Sequence, residues 1–256
     1  MIDSRALVSP QADIAADVDI GPYSVIGADV VIGAGTWIGP HVVINGPTRI
    51  GVGNKIFQFA SLGDAPQDKK YKGEVTRLTI GDRNVIRECA TVNRGTLQGG
   101  GVTRIGDDNL LMAYVHVAHD CQLGNQIVLS NVATLGGHVE IGDFAIMGGL
   151  SAVHQFTRVG AHSFIGNNAA VTRDVPPYVL AVGQPAAPHS INVVGLKRRG
   201  FTDAQIRNLK HAYRILYRSR LKLDAALSQL EVVALTQDEI KPLVEFIKHS
   251  SRSIVR

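Results

Sequence analysis

The sequence is poor in large aromatic side chains, in cysteine and in long apolar runs. Phe, Trp and Tyr make up 5% of the 256 residues, so small and β-branched side chains must fill the core. Two cysteines are too few for a disulfide-stapled secreted domain. No run approaches the roughly 18 apolar residues of a transmembrane helix, and no apolar signal segment follows Met1. These absences predict a cytoplasmic protein without stable membrane insertion.

Positive charge is scarce in the first three quarters of the chain. Residues 1–186 hold 13 Lys and Arg against 16 Asp and Glu, a net charge of −3. Residues 187–256 hold 13 against 6, a net charge of +7. A basic segment of this kind attracts an acidic partner or forms a solvated basic face.

An aliphatic residue recurs every six positions, with a single break in phase. The grid comprises 25 positions: Val8, Ile14, Ile20, Ile26, Ile32, Ile38, Ile44, Ile50, Ile56, Leu62, Ile80, Ile86, Val92, Ile105, Leu111, Val117, Leu123, Leu129, Leu135, Ile141, Met147, Val153, Val159, Ile165 and Val171. Glycine often follows directly, as at Gly21, Gly27, Gly33, Gly39, Gly51 and Gly63. A period of six matches neither the amphipathic helix nor the heptad.

The period of six predicts a short strand followed by a tight turn. The aliphatic side chain points inward, and we expect the following glycine to turn the chain with a positive φ. Such strands bury their apolar face only by stacking on copies of themselves, so three hexads form one 18-residue coil of a triangular prism. The pattern resembles the all-β, left-handed parallel β-helix of the hexapeptide-repeat acyltransferases, and the handedness comes from that resemblance alone.

Two segments interrupt the grid of aliphatic residues before it ends. Residues 64–78 are charged and residues 97–102 are glycine-rich, so both are predicted to protrude as loops, where binding residues are common. The grid stops after Pro176 and Pro177. Capping boxes at residues 202–205 and 236–239 each predict the start of a helix. The chain is therefore divided into a β-helix, 1–186, and a small helical domain, 187–256.

The central repeats concentrate histidines. His119, His138 and His154 recur at spacings close to one coil of three hexads, so they are predicted to lie near one vertical edge beside Asp120. Two chemistries compete for such a site. Neutral imidazoles on adjacent coils can bind zinc, as in the carbonic anhydrases of the γ class. Alternatively, a histidine oriented by a carboxylate can act as a general base. Spacing alone leaves both open.

Particular segments are more specific than the repeat. The run Met112–Cys121 resembles the His-x-x-His-Asp-Cys segment of the UDP-N-acetylglucosamine O-acyltransferase family, which begins lipid A synthesis. Further similar segments are 58–61, 67–74, 86–88, 94–96, 136–138, 153–156, 160–162, 174–178 and 195–201. They span nearly the whole chain.

The resemblance implies a homotrimer with active sites between neighbouring prisms, and neither a metal nor another cofactor. It implies transfer of a 3-hydroxyacyl group from acyl carrier protein to the glucosamine 3-hydroxyl of UDP-GlcNAc, with no nucleic-acid partner. His119 matches the general base, Asp120 its orienting partner, and the N–H of Gly137 the oxyanion donor. Substrate-contacting positions match Asp68, Lys70, His116, His138, His154 and Gln155. Asn192 and Arg199 match nucleotide-holding positions, and Arg198, Arg199, Arg207 and Lys210 are candidate contacts for the acidic carrier protein.

Three residues depart from the family pattern. Asn93 replaces a common histidine near the sugar, which keeps open a 3-amino acceptor and an amide product. Val194 stands where a glutamate often holds the nucleoside. Asn167 occupies the position of the acyl-chain ruler, where a side chain larger than glycine predicts a shorter acyl group. The remaining alternatives are the zinc enzyme, the later N-acyltransferase of the same pathway, and a non-catalytic scaffold that binds acidic protein.

Overall fold

The computed structural model describes residues 1–256, and it places all the strands in three sheets that form the sides of a prism and are parallel except for the last pair of sheet 3. Sheet 1 contains Leu7–Val8, Val25–Ile26, Val43–Ile44, Ser61–Asp64, Thr91–Asn93, His116–Val117, Thr134–Leu135, Ala152–Val153 and Ala170–Val171. Sheet 2 contains Asp13–Ile14, Val30–Ile32, Thr48–Ile50, Arg77–Ile80, Val102–Ile105, Gln122–Leu123, Glu140–Ile141 and Arg158–Val159. Sheet 3 contains Asp19–Ile20, Trp37–Ile38, Lys55–Ile56, Val85–Ile86, Leu110–Leu111, Val128–Leu129, Ile146–Met147, Phe164–Ile165, Val179–Val182 and Ala187–Ile191.

The parallel register confirms a coil of three hexads. Leu7 pairs with Val25, and Thr134 pairs with Ala152, so each residue lies beside the one that follows it by three hexads. The inward aliphatic residues from Ile20 to Val171 belong to one hydrophobic cluster of 41 buried residues, and the partly buried Val8 and Ile14 pack against it. The repeat therefore specifies both the strand positions and the core, since each coil buries its aliphatic side chains against the next.

Both interruptions of the grid are insertions between sheet 1 and sheet 2. Thr48 pairs with Leu78, and Leu78 pairs with Thr103, so two successive coils are longer than three hexads. The first of them contains two additional hexads, which preserves the phase of the grid. The second contains one additional hexad and a single further position, which shifts the phase by one. We call residues 65–76 the long loop and residues 94–101 the short loop.

Three vertical edges join the sheets, and each coil turns at each of them. Edge A joins sheet 1 to sheet 2 and carries Asp120, His138 and Phe156 on successive coils. Edge B joins sheet 2 to sheet 3 and carries Gln126, Phe144 and His162, while edge C joins sheet 3 to sheet 1 and carries Val132, Leu150 and Asn168. Both inserted loops lie at edge A.

The turns correct the predicted role of glycine. Of the fourteen glycines that directly follow a grid aliphatic, only Gly63 has a positive φ, 76°. The left-handed residue is instead the third after the aliphatic, as at Asp120 (φ 62°) and His138 (φ 60°). Gly21 and Gly33 are required for lack of space, because a Cβ would lie 2.7 Å from Pro40 N and 2.6 Å from Gly51 C, respectively. These glycines permit the close stacking of successive turns.

A ladder of buried polar side chains runs through successive coils. The N–H of Asn84 donates to Asn54 Oδ1 (2.9 Å), and the N–H of Asn109 donates to Asn84 Oδ1 (2.9 Å). Asn84 Nδ2 also donates to the carbonyl of Gly106 at 2.9 Å. Each amide thus satisfies backbone groups that the turns leave without partners, which permits their burial.

Helices follow the last strand. They are α1 (Val193–Arg198), α2 (Asp203–Arg218), α3 (Leu223–Ala234) and α4 (Lys241–Lys248), with 3₁₀ turns at Leu97–Gly99 and Asp238–Ile240. The predicted capping box at the start of α2 is confirmed, because Thr202 and Gln205 make both reciprocal hydrogen bonds. The box predicted at residues 236–239 is wrong: a 3₁₀ turn precedes α4, and Ile240 occupies its N-cap position without a side-chain bond.

The end of the chain returns to the prism. Asp174 is buried, and its carboxylate accepts from Arg158 N (2.8 Å) and Ser250 Oγ (2.7 Å). Ile254 and Val255 are buried beside it. Residues 187–191, predicted to belong to the helical part, form an antiparallel strand on sheet 3. None of the four helices has both the length and the apolar character that crossing a bilayer requires.

Candidate active site

A cleft of about 450 Å³ opens at edge A, between the two inserted loops and the central coils. Its lining combines long-loop, short-loop and turn residues: Gln67, Asp68, Lys70, Thr96, Gln98, His119, His138, Gln155 and Phe156. Five residues that the sequence predicted as site residues therefore meet here, namely Asp68, Lys70, His119, His138 and Gln155. Because the loops are inserted at edge A, their charged side chains lie beside the histidines.

His119 and Asp120 form a hydrogen-bonded pair at this edge. His119 Nδ1 lies 2.8 Å from Asp120 Oδ2, and a carboxylate only accepts, so Nδ1 carries the proton. Nε2 is then the basic nitrogen of the neutral ring. The Asp120 side chain is fully buried, whereas 13% of the His119 side chain is exposed. The pair thus combines a buried carboxylate with an accessible imidazole.

Two threonines hold Asp120 in place, Thr96 at its carboxylate and Thr103 at its backbone N–H. Thr96 donates its N–H to Oδ1 (2.7 Å) and its hydroxyl to Oδ2 (2.6 Å). The N–H of Asp120 itself donates to Thr103 Oγ1 at 2.8 Å. Sequence reasoning missed both threonines, although Thr96 belongs to the Arg94–Thr96 segment that was singled out. The two bonds from Thr96 compensate the desolvation of the buried carboxylate and restrict its rotation, and the bond to Thr103 fixes the backbone of Asp120.

Gly137 packs directly against the His119 ring, one coil further along. A Cβ at this position would lie 2.6 Å from His119 Cε1 and 2.8 Å from Nε2. Any residue other than glycine would therefore displace the His119 ring. The N–H of Gly137 donates to no acceptor within the chain, while its carbonyl accepts from Phe156 N at 2.9 Å. An unpartnered N–H beside a basic nitrogen can donate to an oxyanion.

Two of the three aligned histidines meet. The rings of His119 and His138 are 5.2 Å apart, edge to face, and His138 stacks on Phe156 at 4.3 Å. Burial lowers the pKa of His138, and the nearby Asp120 carboxylate offsets this only in part. His154 lies one coil further and is exposed; its Nδ1 donates to the carbonyl of Gln155 (3.0 Å). Because its spacing from His138 falls short of a full coil, His154 occupies the first position of the turn rather than the third.

His116 lies in sheet 1, on the strand that leads into the pair. Its Nδ1 is 2.7 Å from the hydroxyl of Thr91. Burial lowers its pKa, and the positive charge that His119 can carry lowers it further. His116 is therefore held in the neutral form at neutral pH.

The remaining predicted residues lie at other edges. Asn192 caps α1 and is buried near edge B, where Oδ1 accepts from Gly195 N (3.0 Å) and Nδ2 donates to the carbonyl of His162 (3.0 Å). Arg199 donates to Gln126 Oε1 (2.7 Å) and stacks on Phe144 at 4.6 Å. Arg198 is exposed in the last turn of α1.

Asn167 is exposed at edge C, and its Oδ1 accepts from Gly149 N at 3.0 Å. The residues that the sequence assigned to one site are thus distributed over all three edges of a single prism. Only the residues of edge A and the two inserted loops share a cleft.

The same cluster offers ligands to a metal ion. The ligand atoms of His119, Asp120 and His138 all lie within 4.8 Å of one another. Oδ2 of Asp120, however, already accepts from Thr96 and His119. A metal ion bound to Oδ2 would compete with these two hydrogen bonds.

Comparison with known proteins assigns the chain to a family. Residues 174–255 match the family model described as UDP N-acetylglucosamine O-acyltransferase, domain 2. The chain is 54% identical to the acyl-[acyl-carrier-protein]–UDP-N-acetylglucosamine O-acyltransferase of Janthinobacterium sp. (strain Marseille), over 100% of this chain and 99% of that protein. It is 55% identical, at the same coverage, to the protein of that name from Thiobacillus denitrificans.

Solved structures agree with this assignment. The UDP-N-acetylglucosamine acyltransferase of Francisella novicida superposes with a TM-score of 0.98 at 45% identity, covering 100% of this chain and 94% of that one. The Arabidopsis enzyme of the same name superposes with a TM-score of 0.87 at 32% identity, covering 100% and 99%. The chain belongs to the UDP-N-acetylglucosamine O-acyltransferase family.

Proposed function

We propose that this protein transfers an (R)-3-hydroxyacyl group from acyl carrier protein to the glucosamine 3-hydroxyl of UDP-GlcNAc, the first step of lipid A biosynthesis. The hydrogen-bonded pair of the accessible His119 and the buried Asp120, in the cleft of edge A, is the observation that carries this proposal. Full-length identity of 54–55% to proteins named for this reaction supports it. Left-handed coils, a helical C-terminal domain that follows the strand Ala187–Ile191, and a cytoplasmic location belong to the same proposal.

His119 is the general base of the proposed reaction. Its Nε2 accepts the proton of the sugar hydroxyl while the oxygen attacks the acyl thioester, so a C–O bond forms and the carbonyl becomes an oxyanion. The unpartnered N–H of Gly137 donates to that oxyanion. When the C–S bond breaks, His119 returns the proton to the leaving thiolate. Asp120 maintains the tautomer in which Nε2 is free.

The cleft and its surroundings supply the substrate contacts. Asp68, Lys70, His138 and Gln155 line the cleft, and His116 and His154 flank it on neighbouring strands and turns. Asn192 and Arg199 hold the nucleotide in this proposal, and the planar guanidinium of Arg199 suits a diphosphate. Arg198, Arg207 and Lys210 are exposed on the basic helical segment and meet the acidic carrier protein.

A homotrimer brings these residues together. Edge B and edge C of one prism are separated from edge A by whole sheets, so one chain alone does not assemble the nucleotide and acyl positions around His119. Edge C also exposes an apolar column, with Tyr114 63%, Val132 40% and Leu150 62% exposed. Exposed apolar residues aligned over successive coils are typical of an interface. Association of three copies would cover this column and complete the cleft.

An acyl-transfer assay tests the proposal. Chelator-treated protein is offered UDP-GlcNAc or its 3-amino analogue, each with 3-hydroxyacyl carrier proteins of several chain lengths. We expect ester formation with UDP-GlcNAc, and a loss of about 10²–10⁴-fold in His119→Ala. Amide formation with the analogue alone would assign the amino sugar instead, and activity only on added zinc would indicate the zinc enzyme. In the same assay, Asn167→Gly should extend the preferred acyl chain.

A further inference from the structure

The long loop contributes three side chains to the cleft, those of Gln67, Asp68 and Lys70, but contains no helix or strand. Asp68 and Lys70 line the cleft with His119, and residues 65–76 lie between the strands Ser61–Asp64 and Arg77–Ile80. A segment without a backbone ladder depends on other contacts for its position. The side chains that anchor this loop therefore determine where Asp68 and Lys70 stand.

Arg94, the first residue of the short loop, contacts both the strand that leads into the long loop and the long loop itself. Its Nη1 donates to the carbonyl of Gly63 at 2.9 Å, just before the long loop begins. Its Nη2 and Nε donate to the hydroxyl of Tyr71, at 2.9 and 3.3 Å. The rigid planar fork of a guanidinium holds two acceptors at a set separation, which lysine does not reproduce.

Tyr71 extends this contact through the rest of the loop. Its hydroxyl donates to the carbonyl of Glu74 at 2.7 Å, and its N–H donates to the carbonyl of Asp68 at 3.1 Å. The Glu74 carboxylate in turn accepts from Lys72 N at 2.8 Å. Tyr71 is also the direct neighbour of Lys70, so the position of its backbone sets where the Lys70 side chain begins.

The short loop also holds the general base pair. Thr96, which follows Arg94 and Gly95, donates both its N–H and its hydroxyl to Asp120. The neighbouring Asn93 adds a third anchor, because its buried Nδ2 donates to the carbonyl of Ala65 at 2.8 Å. One short segment therefore contacts both the carboxylate that orients His119 and the loop that carries Asp68 and Lys70.

We propose that Arg94 and Tyr71 are positioning residues that set the long loop, and with it Asp68 and Lys70, at a fixed distance from His119. The role of the loop in substrate binding rests on the function proposed above. Neither residue touches the reacting atoms, so their loss acts through the loop. The proposal predicts weaker substrate binding with the general base intact.

Tyr71→Phe and Arg94→Lys test the proposal by two independent readouts. The first is steady-state kinetics: we expect KM for UDP-GlcNAc to rise roughly tenfold, the effect of losing hydrogen bonds to a charged group. The acid limb of the pH–rate profile should stay unchanged, because His119 and Asp120 keep their contacts. The second is limited trypsin cleavage at Lys69, Lys70 and Lys72 in the free protein, which should accelerate in both variants and needs no catalytic activity.

Arg158→Lys is the matched control. Like Arg94, Arg158 donates to a backbone carbonyl, that of His249 at 3.1 Å, and it stacks on the ring of Phe246 at 4.6 Å, but it lies on the outer face of sheet 2. The Arg158→Lys variant should show the same KM for UDP-GlcNAc and the same trypsin cleavage rate as the wild type. If the Arg94 variant does not fold, Tyr71→Phe, which removes a single oxygen, still decides the question.

The outcomes separate this inference from the proposed function. If the wild-type protein shows no acyl transfer, the proposed function is contradicted. The trypsin cleavage rates then still test whether Arg94 and Tyr71 anchor the long loop. Unchanged loop cleavage in both variants overturns the anchoring. Faster cleavage with an unaltered KM overturns the positioning role, because the loop is then loosened without consequence. A lower melting temperature with kinetics like the wild type also contradicts the proposal, since it indicates a structural role alone.

Discussion

Edge A and edge C have the same backbone but carry different chemistry. At both edges the third residue after the grid aliphatic has a positive φ, 62° at Asp120 on edge A and 58° at Leu150 on edge C. At edge A these positions carry Asp120, His138 and Phe156, beside two inserted loops. At edge C they carry Tyr114, Val132 and Leu150, exposed and apolar.

The difference shows how a repeat separates scaffold from function. The coil fixes where each side chain points, because successive turns stack through hydrogen bonds such as His138 N to the carbonyl of His119 (3.0 Å). Chemistry then depends only on which residue occupies each turn position. Edge A buries a carboxylate by supplying it with donors from the short loop, whereas edge C leaves an apolar surface exposed.

Substituting glycine at the second turn position gives the largest expected contrast between the edges. In Gly137→Ala at edge A, the new Cβ would lie 2.6 Å from His119 Cε1, so the ring must move. A displacement of this kind should lower kcat by about 10²-fold. Gly149 occupies the same turn position at edge C, and a Cβ there has only Asn131 O at 3.4 Å. Gly149→Ala should therefore keep kcat within a factor of about two in the same assay. Equal losses in the two variants would contradict the assignment of the active site to edge A.

A charge on edge C tests the assembly. Leu150→Asp introduces a carboxylate into the apolar column, and burying it unpaired in an interface costs several kcal/mol, so the trimer should dissociate. Sedimentation velocity should show monomers, and kcat/KM should fall at least about tenfold, although edge A is unaltered. Leu235→Asp, at a leucine 81% exposed beyond α3, is the matched control and should stay trimeric. A trimeric, active Leu150→Asp protein would exclude edge C from the interface.

Truncating the polar ladder tests the scaffold that both edges share. Asn84→Ala leaves Asn109 N and Gly106 O without their partners in a buried position. Loss of these bonds should lower the free energy of unfolding by roughly 2–4 kcal/mol. Asn131→Ala, at an exposed turn of edge C, should change it by less than about 0.5 kcal/mol. Urea denaturation measures both, and a stability loss of the same small size in both variants would show that the ladder is dispensable.

The smallest expected difference between the edges is in how folding stability depends on pH. Burial lowers the pKa values of His116 and His138 in the folded protein. The unfolded chain then binds more protons just below its own histidine pKa, so folding stability rises with pH in that range. The contribution is complete above about pH 6.5 and is lost as the pH falls through the folded pKa. In His138→Gln, the urea midpoint should vary less with pH between about pH 5 and pH 7 than in the wild type. His41→Gln, at an exposed turn of edge C, should leave the pH dependence of the midpoint unchanged. A slope that survives His138→Gln would assign the dependence to other groups.

Much of the scaffold was predictable because its signal is local and repeated. The grid from Val8 to Val171 predicted the inward residues, the coil length and the positions of both insertions. The turn mechanism was wrong, since a positive φ at Asp120 or His138 is stabilised by stacking on the neighbouring coil, which single-residue preferences do not report. The capping box at Thr202 was confirmed, but the one at Thr236 was not, because a 3₁₀ turn replaces the first turn of α4.

The candidate site was predictable only in part. His119 and His138 are separated by slightly more than one coil, and this spacing was enough to bring their rings together. The spacing between His138 and His154 was not, because it is shorter than a full coil and so changes the turn position and its direction. Thr96 and Thr103 gave no sign of holding Asp120, since their role depends on how the short loop folds over edge A.

The sequence by itself determined the period, the core and the family, because each of these depends on residue identity along the chain. The tertiary structure alone decided which distant residues share a cleft. It brought Lys70, Thr96 and His119 to one edge, because both insertions fall between sheet 1 and sheet 2. It left Arg199 and Asn167 at the other two edges, because coil geometry assigns each residue to an edge by its position within the coil.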